Sequence, residues 1–479
     1  MGANTAWGNA TDEVCVRLDD TRAFEVTFDV LVIGGGACGL VAALAARDQG
    51  ADVIVLEGDA TPGGSTALSS GFIPAAGTHF QATVGLSDSA AQLEADIAAK
   101  SAGQADPVLA GAVARASAAT IEWLASAHGL PFMLLTDLHY PGHQVPRMHC
   151  LPEKTGLALA QRLAAACEQA GVTLLTDARV TELVVDAEAR VLGATCRRPD
   201  GNTESVGCKA LILACGGFGG QAAMVKQHLP DIADALFFGH RGNRGDALAW
   251  GSALGGVGKD MSGYQGHGSV AAPHGILITW ALMMAGGIQI NALGERFANE
   301  HAGYSEHAVE VLRQPGGMAW SLHDARIHAI GLTFPDYRDA VEAGAVRTAD
   351  SIEALARLTG TPQDTLARTL AAVSRLQAGD DTDPFGRDFT AQPALQAPWY
   401  AIRVTGALFH TQGGLAIDAD ARVLRADGSP LPNLYAGGGA ARGVSGPDPA
   451  GYLSGNGLLS AVNLGFLAGR HAATRFAGA

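Results

Sequence analysis

Charge is scarce in this chain, with Asp, Glu, Lys and Arg making up 16% of its 479 residues, and the formal net charge is −15. Too few basic residues remain to build the positive face that nucleic acid requires, so no nucleic-acid partner is expected. An acidic substrate is still possible, because a local basic site can sit on an acidic protein. Cysteine is sparse and unpatterned. Cys15, Cys38, Cys150, Cys167, Cys196, Cys208 and Cys215 form no CxxC pair and no CxxCH haem site. Their odd number and irregular spacing read as reduced thiols of a cytoplasmic protein, and no metal site is assigned. Long apolar runs are also missing. The longest apolar stretch, Ile276 to Ile290, carries no charge, is interrupted by Gly286-Gly287 and falls short of the roughly 20 residues that cross a bilayer. It reads as a buried segment, with no membrane span. Met1 to Asp20 shows no basic stretch followed by an apolar core, so no signal peptide is expected.

Hydrophobic residues, by contrast, make up 48% of the chain, and its 63 glycines gather in short runs beside apolar segments. That pattern suits a well-buried enzyme with tight turns near a ligand. The length allows two or more domains.

The most specific motif lies near the start. Phe28 to Val32 is an apolar, β-branched run that suits a buried parallel strand. Gly34-Gly35-Gly36-Ala37-Cys38-Gly39 follows, then an apolar helix at Leu40 to Ala46, and a second strand, Asp52 to Leu56, ends on Glu57. Gly34 allows the turn, Gly36 lets backbone approach a pyrophosphate, and Gly39 permits close helix–strand packing. The helix N-terminus offers unpaired N–H groups to the phosphates. Glu57 stands where a carboxylate binds ribose hydroxyls. These features predict a dinucleotide site without separating FAD from NAD.

The segment Pro62-Gly63-Gly64-Ser65-Thr66-Ala67-Leu68-Ser69-Ser70-Gly71 resembles the part of the fumarate reductase/succinate dehydrogenase flavoprotein family that runs along the ribityl chain and isoalloxazine. The resemblance extends from about Phe28 to Ala472. It implies an α/β fold: a Rossmann-like FAD-binding domain, built from a parallel sheet plus a β-meander, with an inserted α+β capping domain. The boundaries it suggests are 25–260 and 410–479 for the FAD-binding parts and 261–409 for the cap. Cofactor contacts are implied for Gly34, Gly36, Cys38, Gly39, Glu57, Gly64, Ser65, Thr66, Ser70, Gly71, Val180, Asp246, Gly439, Gly455, Asn456 and Leu458. The family often carries a glutamate where this chain has Gly439. Its covalently flavinylated members need a histidine where this chain has Ser65-Thr66, so non-covalent FAD is expected.

The same resemblance assigns a substrate site between cap and flavin. Tyr264-Gln265-Gly266-His267 matches the first substrate histidine, and spacing carries Thr279 onto a substrate threonine. Asn291 to Glu300 matches the segment read as holding the catalytic arginine, Arg296, and His410 matches the second histidine. Three positions depart from the fumarate pattern. Trp280 replaces a glutamate, Met283 an arginine, and Tyr452 the arginine that clamps a carboxylate. The first two losses remove a proton relay to Arg296, a poor acid by itself because its pKa exceeds about 12. The third removes a bidentate clamp. Gly451-Tyr452-Leu453-Ser454-Gly455 instead is similar to the 3-ketosteroid dehydrogenases of this superfamily. There a phenol aimed at a ketone oxygen stabilises an enolate.

The resulting expectation is an FAD-dependent dehydrogenase that introduces a C=C bond α,β to a carbonyl. The substrate is a small molecule, a cyclic ketone that can also carry a carboxylate. Tyr452 and the backbone near Ser454 would polarise the carbonyl, and Arg296 or a tyrosine from the cap, with Tyr264 the first candidate, would move the proton. His267, Thr279 and His410 would hold the far end, with Trp280 as a flat wall. The electron acceptor is open: oxygen, a quinone or a carrier protein. Two alternatives stand beside it, a fumarate-like reductase of an unsaturated acid and an FAD-binding protein without turnover. Individual residues also have packing readings: Arg296 paired with Glu300 four residues on, His267 and His410 as core histidines, and Tyr452 and Trp280 as core aromatics.

Overall fold

The computed structural model describes residues 14–136 and 140–474. Its nucleus is the expected strand–turn–helix–strand. Thr27–Ile33 is followed by the helix Ala37–Arg47 and the strand Val53–Leu56. Thr27–Ile33 pairs in parallel with Val53–Leu56 on one side and with Thr203–Leu213 on the other. Where all three pair, residues 30–33, 53–56 and 210–213 are apolar, as suits a parallel sheet covered on both faces. The meander Arg179–Val185, Val191–Arg197 and Thr203–Leu213 is antiparallel, and Thr203–Leu213 turns back into the parallel layer. Pro430–Ala436 closes that layer, pairing in parallel with the end of Thr203–Leu213. Together these strands belong to a nine-stranded sheet.

The final helix, Asn456–Thr474, lies against Ala37–Arg47 with almost no side chain between them. A Cβ placed on Gly465 would come within 2.3 Å of the Cys38 carbonyl, and one on Gly469 within 2.1 Å of the Ala42 carbonyl. Small residues therefore let two backbones touch, and both helix N-termini arrive at one cleft.

A second, seven-stranded sheet is built around the long strand Trp399–Thr411. Tyr264–Ala271, Met318–His323, Val346–Ala349 and Leu236–Phe237 all pair with it. Leu236–Phe237 precedes residue 261 and the long strand runs on to Thr411, so divisions at 261 and 409 cut through this sheet. Between Val346–Ala349 and Trp399–Thr411 the chain forms two helices, Ile352–Thr359 and Gln363–Ala378. Gly360, at φ 70°, ends the first, and Pro362 follows. Ile276–Ile290 is a strand, a helical turn and a strand, largely buried. One helix among the described residues, Pro107–Ser126, is long and apolar enough to cross a membrane, and most of it is buried inside the protein. All seven cysteines are unpaired.

Candidate active site

The two sheets enclose a cavity of about 860 Å³. One end is the glycine cleft. Gly34, Gly36, Cys38, Glu57, Gly64, Ser65, Thr66, Ser70, Gly71, Val180, Asp246, Gly439, Gly455 and Leu458 all line the cavity. Gly34 sits at φ 108°, and a Cβ there would lie 2.5 Å from the Ala214 carbonyl, so only glycine fits this crossing of two loops. Glu57 is buried, which pushes its pKa up, while its carboxylate accepts the amides of Gly35 at 2.6 Å and Asp59 at 2.8 Å. Thr66 Oγ1 accepts the Ala37 amide at 3.0 Å and ties the 64–67 turn to the helix N-terminus. Ser65 Oγ accepts the Asn243 side-chain amide at 2.8 Å and the His240 backbone amide at 3.2 Å. Asp246 accepts from Arg179 at 3.1 Å. Gly39 and Asn456 are the two expected cofactor residues that do not line the cavity. Gly39 lies where helix and strand touch, and a Cβ would sit 1.9 Å from the Gly34 carbonyl. Asn456 turns inward and donates to Ser445 at 3.1 Å.

The other end is aromatic. Phe238, Phe409, His267 and Tyr304 form a column, with successive ring centroids 4.8, 5.2 and 4.9 Å apart. Trp280 meets His267 edge-on at 5.6 Å, and its indole donates to the Glu300 carbonyl at 3.0 Å. Burial lowers the pKa of His267 to about 3 and that of His410 to about 4, so both rings are neutral. Thr279 is hydrogen-bonded to Tyr140. Arg179, Arg241 and Arg244 also line the cavity, but they come from the Arg179–Val185 strand and the loop around Asp246. Among the described lining residues, these three are the only arginines, and no lysine is present.

Tyr452 stands at the floor of this end, 6.0 Å from Tyr304 and 5.7 Å from His410 between ring centroids. The Gly457 amide, in the first turn of the final helix, donates to Tyr452 Oη at 3.1 Å. A Cβ at Gly457 would lie 2.5 Å from His410 Nε2, so glycine is required for this approach. Tyr304 is hydrogen-bonded to the Ser454 hydroxyl, the Gly455 backbone and Tyr452. Burial pushes its phenol up to about 12, and those three bonds pull the other way. Tyr452 is raised by burial and further by its bond to Tyr304.

Two expected catalytic residues lie elsewhere. Arg296 is bound by Glu300, at 3.0 and 2.7 Å, and by Asp383 at 2.6 Å, and it rests on Phe389. It does not line the cavity, since two buried carboxylates consume its donors. The residue of that stretch that reaches the cavity is Tyr304, at the start of the helix Tyr304–Leu312. Tyr264 points away from the cavity because side chains alternate along its strand. Gln265 and His267 line the cavity, and the buried Tyr264 hydroxyl does not. Of the substrate-site expectations, His267, Thr279, Trp280, His410, Tyr452 and Ser454 are brought together at one end. Tyr140, Tyr304, Phe409 and the Gly457 amide were not anticipated. For Tyr304 the available signal was a tyrosine directly after Gly303, where a helix begins.

The profile of the FAD binding domain family matches residues 29–458. The chain belongs to the fumarate reductase/succinate dehydrogenase flavoprotein family. It is 29% identical to the probable fumarate reductase Ifc3 of Shewanella frigidimarina over 471 residues, covering 98% of this chain and 78% of that one. Among solved structures, the open conformation of a flavocytochrome c3 fumarate reductase superposes with a TM-score of 0.79 at 28% identity, covering 94% of this chain and 79% of that one. The 3-ketosteroid-Δ4-(5α)-dehydrogenase of Rhodococcus jostii RHA1, solved with 4-androstene-3,17-dione, superposes with a TM-score of 0.76 at 25% identity, covering 95% and 99%. This member of the flavoprotein family is an FAD-dependent oxidoreductase acting on CH–CH groups. The glycine cleft fits the cofactor: backbone walls that admit no Cβ, a buried carboxylate at Glu57 and a helix N-terminus at Ala37.

Proposed function

We propose that this flavoprotein dehydrogenates a cyclic ketone at the carbon–carbon bond next to its carbonyl. The observation that carries the reading is the pairing of Tyr452 Oη with the Gly457 amide, 3.1 Å apart, beside Tyr304 at the aromatic end of a cavity whose described arginines come from the 179–185 strand and the loop around Asp246. When a carbonyl oxygen replaces Tyr452 Oη as the acceptor of the Gly457 amide, the hydroxyl and the amide lie close enough to donate to it together, which suits an oxygen that gains negative charge. A dicarboxylate would instead require a cation there. FAD held in the glycine cleft would supply the two-electron acceptor for the hydride of the β-carbon. Tyr304, as its phenolate, takes the α-proton on its oxygen, the α-carbon's electrons form the C=C bond, and Tyr452 and Gly457 hold the enolate oxygen. His267, Trp280 and Phe409 offer flat apolar walls that fit a ring and exclude water. Ser65, already bonded to Asn243 and His240, supports non-covalent attachment of the flavin. The fold neighbour that acts on a 3-ketosteroid supports the reading as well.

Anaerobic mixing of oxidised enzyme with a panel of cyclic ketones, enones and unsaturated acids tests this. Bleaching of the flavin by saturated ketones is expected. No bleaching by any ketone, with rapid oxidation of reduced enzyme by fumarate, overturns it in favour of the unsaturated-acid reductase.

A further inference from the structure

One half-buried histidine beside the chamber has no part in the reaction above. His143 lies between the short strands Met133–Leu134 and Met148–Cys150. Its Nε2 is 2.8 Å from the Ser454 carbonyl and its Nδ1 is 3.3 Å from Arg147 Nη1. A guanidinium can only donate. Nδ1 is therefore the acceptor, and the single ring proton is on Nε2, donated to the Ser454 carbonyl. Burial lowers the His143 pKa to about 4, which keeps the ring neutral.

Arg147 is itself fully buried. It donates to Asp88 at 2.7 and 2.9 Å and makes a short contact with Asp96. Asp96 also accepts the Gln144 amide at 3.0 Å, and Asp88 accepts from Gln81 at 2.9 Å. These are the charged groups that face His143. Such a network is stable only when each member is satisfied, and then it is rigid. Beyond Ser454, the hydroxyl of Ser454 and the backbone of Gly455 both bond Tyr304. A rigid ionic anchor is thus joined to the phenol through one imidazole and one peptide.

We propose that His143 is a positioning residue: Arg147 fixes it in the Nε2–H tautomer, and it pins the Ser454–Gly455 peptide so that both groups meet the oxygen of Tyr304. The tautomer stands apart from the catalytic reading, whereas the kinetic consequence rests on Tyr304 being the base.

The wild-type holoenzyme labelled with ¹⁵N-histidine gives the first readout, with the His143 signals assigned by their loss in His143→Gln. A protonated Nε2 and a bare Nδ1 from about pH 6 to 9 are expected. An Nδ1–H tautomer or an imidazolium overturns the proposal without any turnover. Two variants give the second readout. His143→Leu removes the donor, and His143→Gln retains one. The Leu variant is expected to lower the flavin-bleaching rate constant about 10- to 100-fold and to move its pH profile to alkaline pH, with ketone affinity unchanged. The Gln variant should recover to within about threefold of wild type. Superposable pH profiles for wild type and His143→Leu overturn the proposal while ketone oxidation stands. Absence of bleaching in the wild type overturns ketone oxidation and leaves the tautomer readout to decide the positioning claim.

Discussion

Tyr452→Phe removes one oxygen from the floor of the chamber and little else. Tyr452 is 4% exposed, and its ring contacts with Tyr304 and His410 do not need the hydroxyl. The folded state loses the bonds to Gly457 and Tyr304, a cost of about 1 kcal/mol each. The transition state loses more. Of two donors at the carbonyl, the Gly457 amide survives, released from Tyr452 Oη at 3.1 Å. Loss of one such donor costs about 3 kcal/mol, or roughly a 10²-fold decrease in rate. Because the bond strengthens as the enolate forms, the loss falls on the rate constant and spares ketone binding. Anaerobic stopped-flow bleaching of the flavin, at saturating and subsaturating ketone, separates the two. A variant that bleaches at the wild-type rate would refute the oxyanion role of Tyr452. A variant with weakened binding and an unchanged rate constant would make the hydroxyl a mere anchor.

Tyr304→Phe should lower bleaching by about 10²- to 10⁴-fold, the usual worth of a positioned base. Because Tyr304 is protonated below about 12, the wild-type rate should rise with pH across the neutral and alkaline range, and this rise should vanish in the variant. Arg296→Gln should act on stability, since it leaves Glu300 and Asp383 buried with fewer partners, at a cost of about 3–5 kcal/mol. Thermal unfolding reads that loss, and the folded fraction should retain its bleaching rate. Burial alone would raise the Glu300 pKa, but Arg387 and Arg296 hold it near 2, below the ordinary 4.5. Its contribution to stability is therefore complete above pH 4.5 and lost as pH falls toward 2, which acid unfolding followed by circular dichroism measures. Acid precipitation of the holoenzyme should leave all of its FAD in the supernatant; flavin retained in the pellet contradicts non-covalent attachment.

The dinucleotide cleft was legible because its function is carried by backbone. The glycine motif, the helix after it and Glu57 all lie within one sequence window, although the Ala214 carbonyl that excludes a Cβ at Gly34 does not. Departures at Trp280 and Tyr452 were legible too, since each exchanges one chemistry for another at a fixed place in a motif. Arg296 was legible in part: its pairing with Glu300 four residues on lies within one window, whereas Asp383, 87 positions away, lies in none. Tyr264 and His267 share one strand, and a register shift between Gln265 and Gly266 obscures which residues face the cavity until the pairing with Trp399–Thr411 is known. The Gly457 amide carries no side-chain signature at all. Tyr304 shows the limit most plainly: it lies eight residues beyond Arg296, and only the folded chain shows which of the two enters the chamber.

The central claim is that the flavin takes two electrons from the bond next to a ketone. A single anaerobic turnover with stoichiometric cyclic ketone, followed by flavin absorbance and by mass and NMR analysis of the organic product, tests it most directly. The account predicts one reduced flavin for each conjugated enone formed, the product lighter by two hydrogens. Flavin that stays oxidised with every ketone, in enzyme whose reduced form is rapidly reoxidised by fumarate, would contradict it.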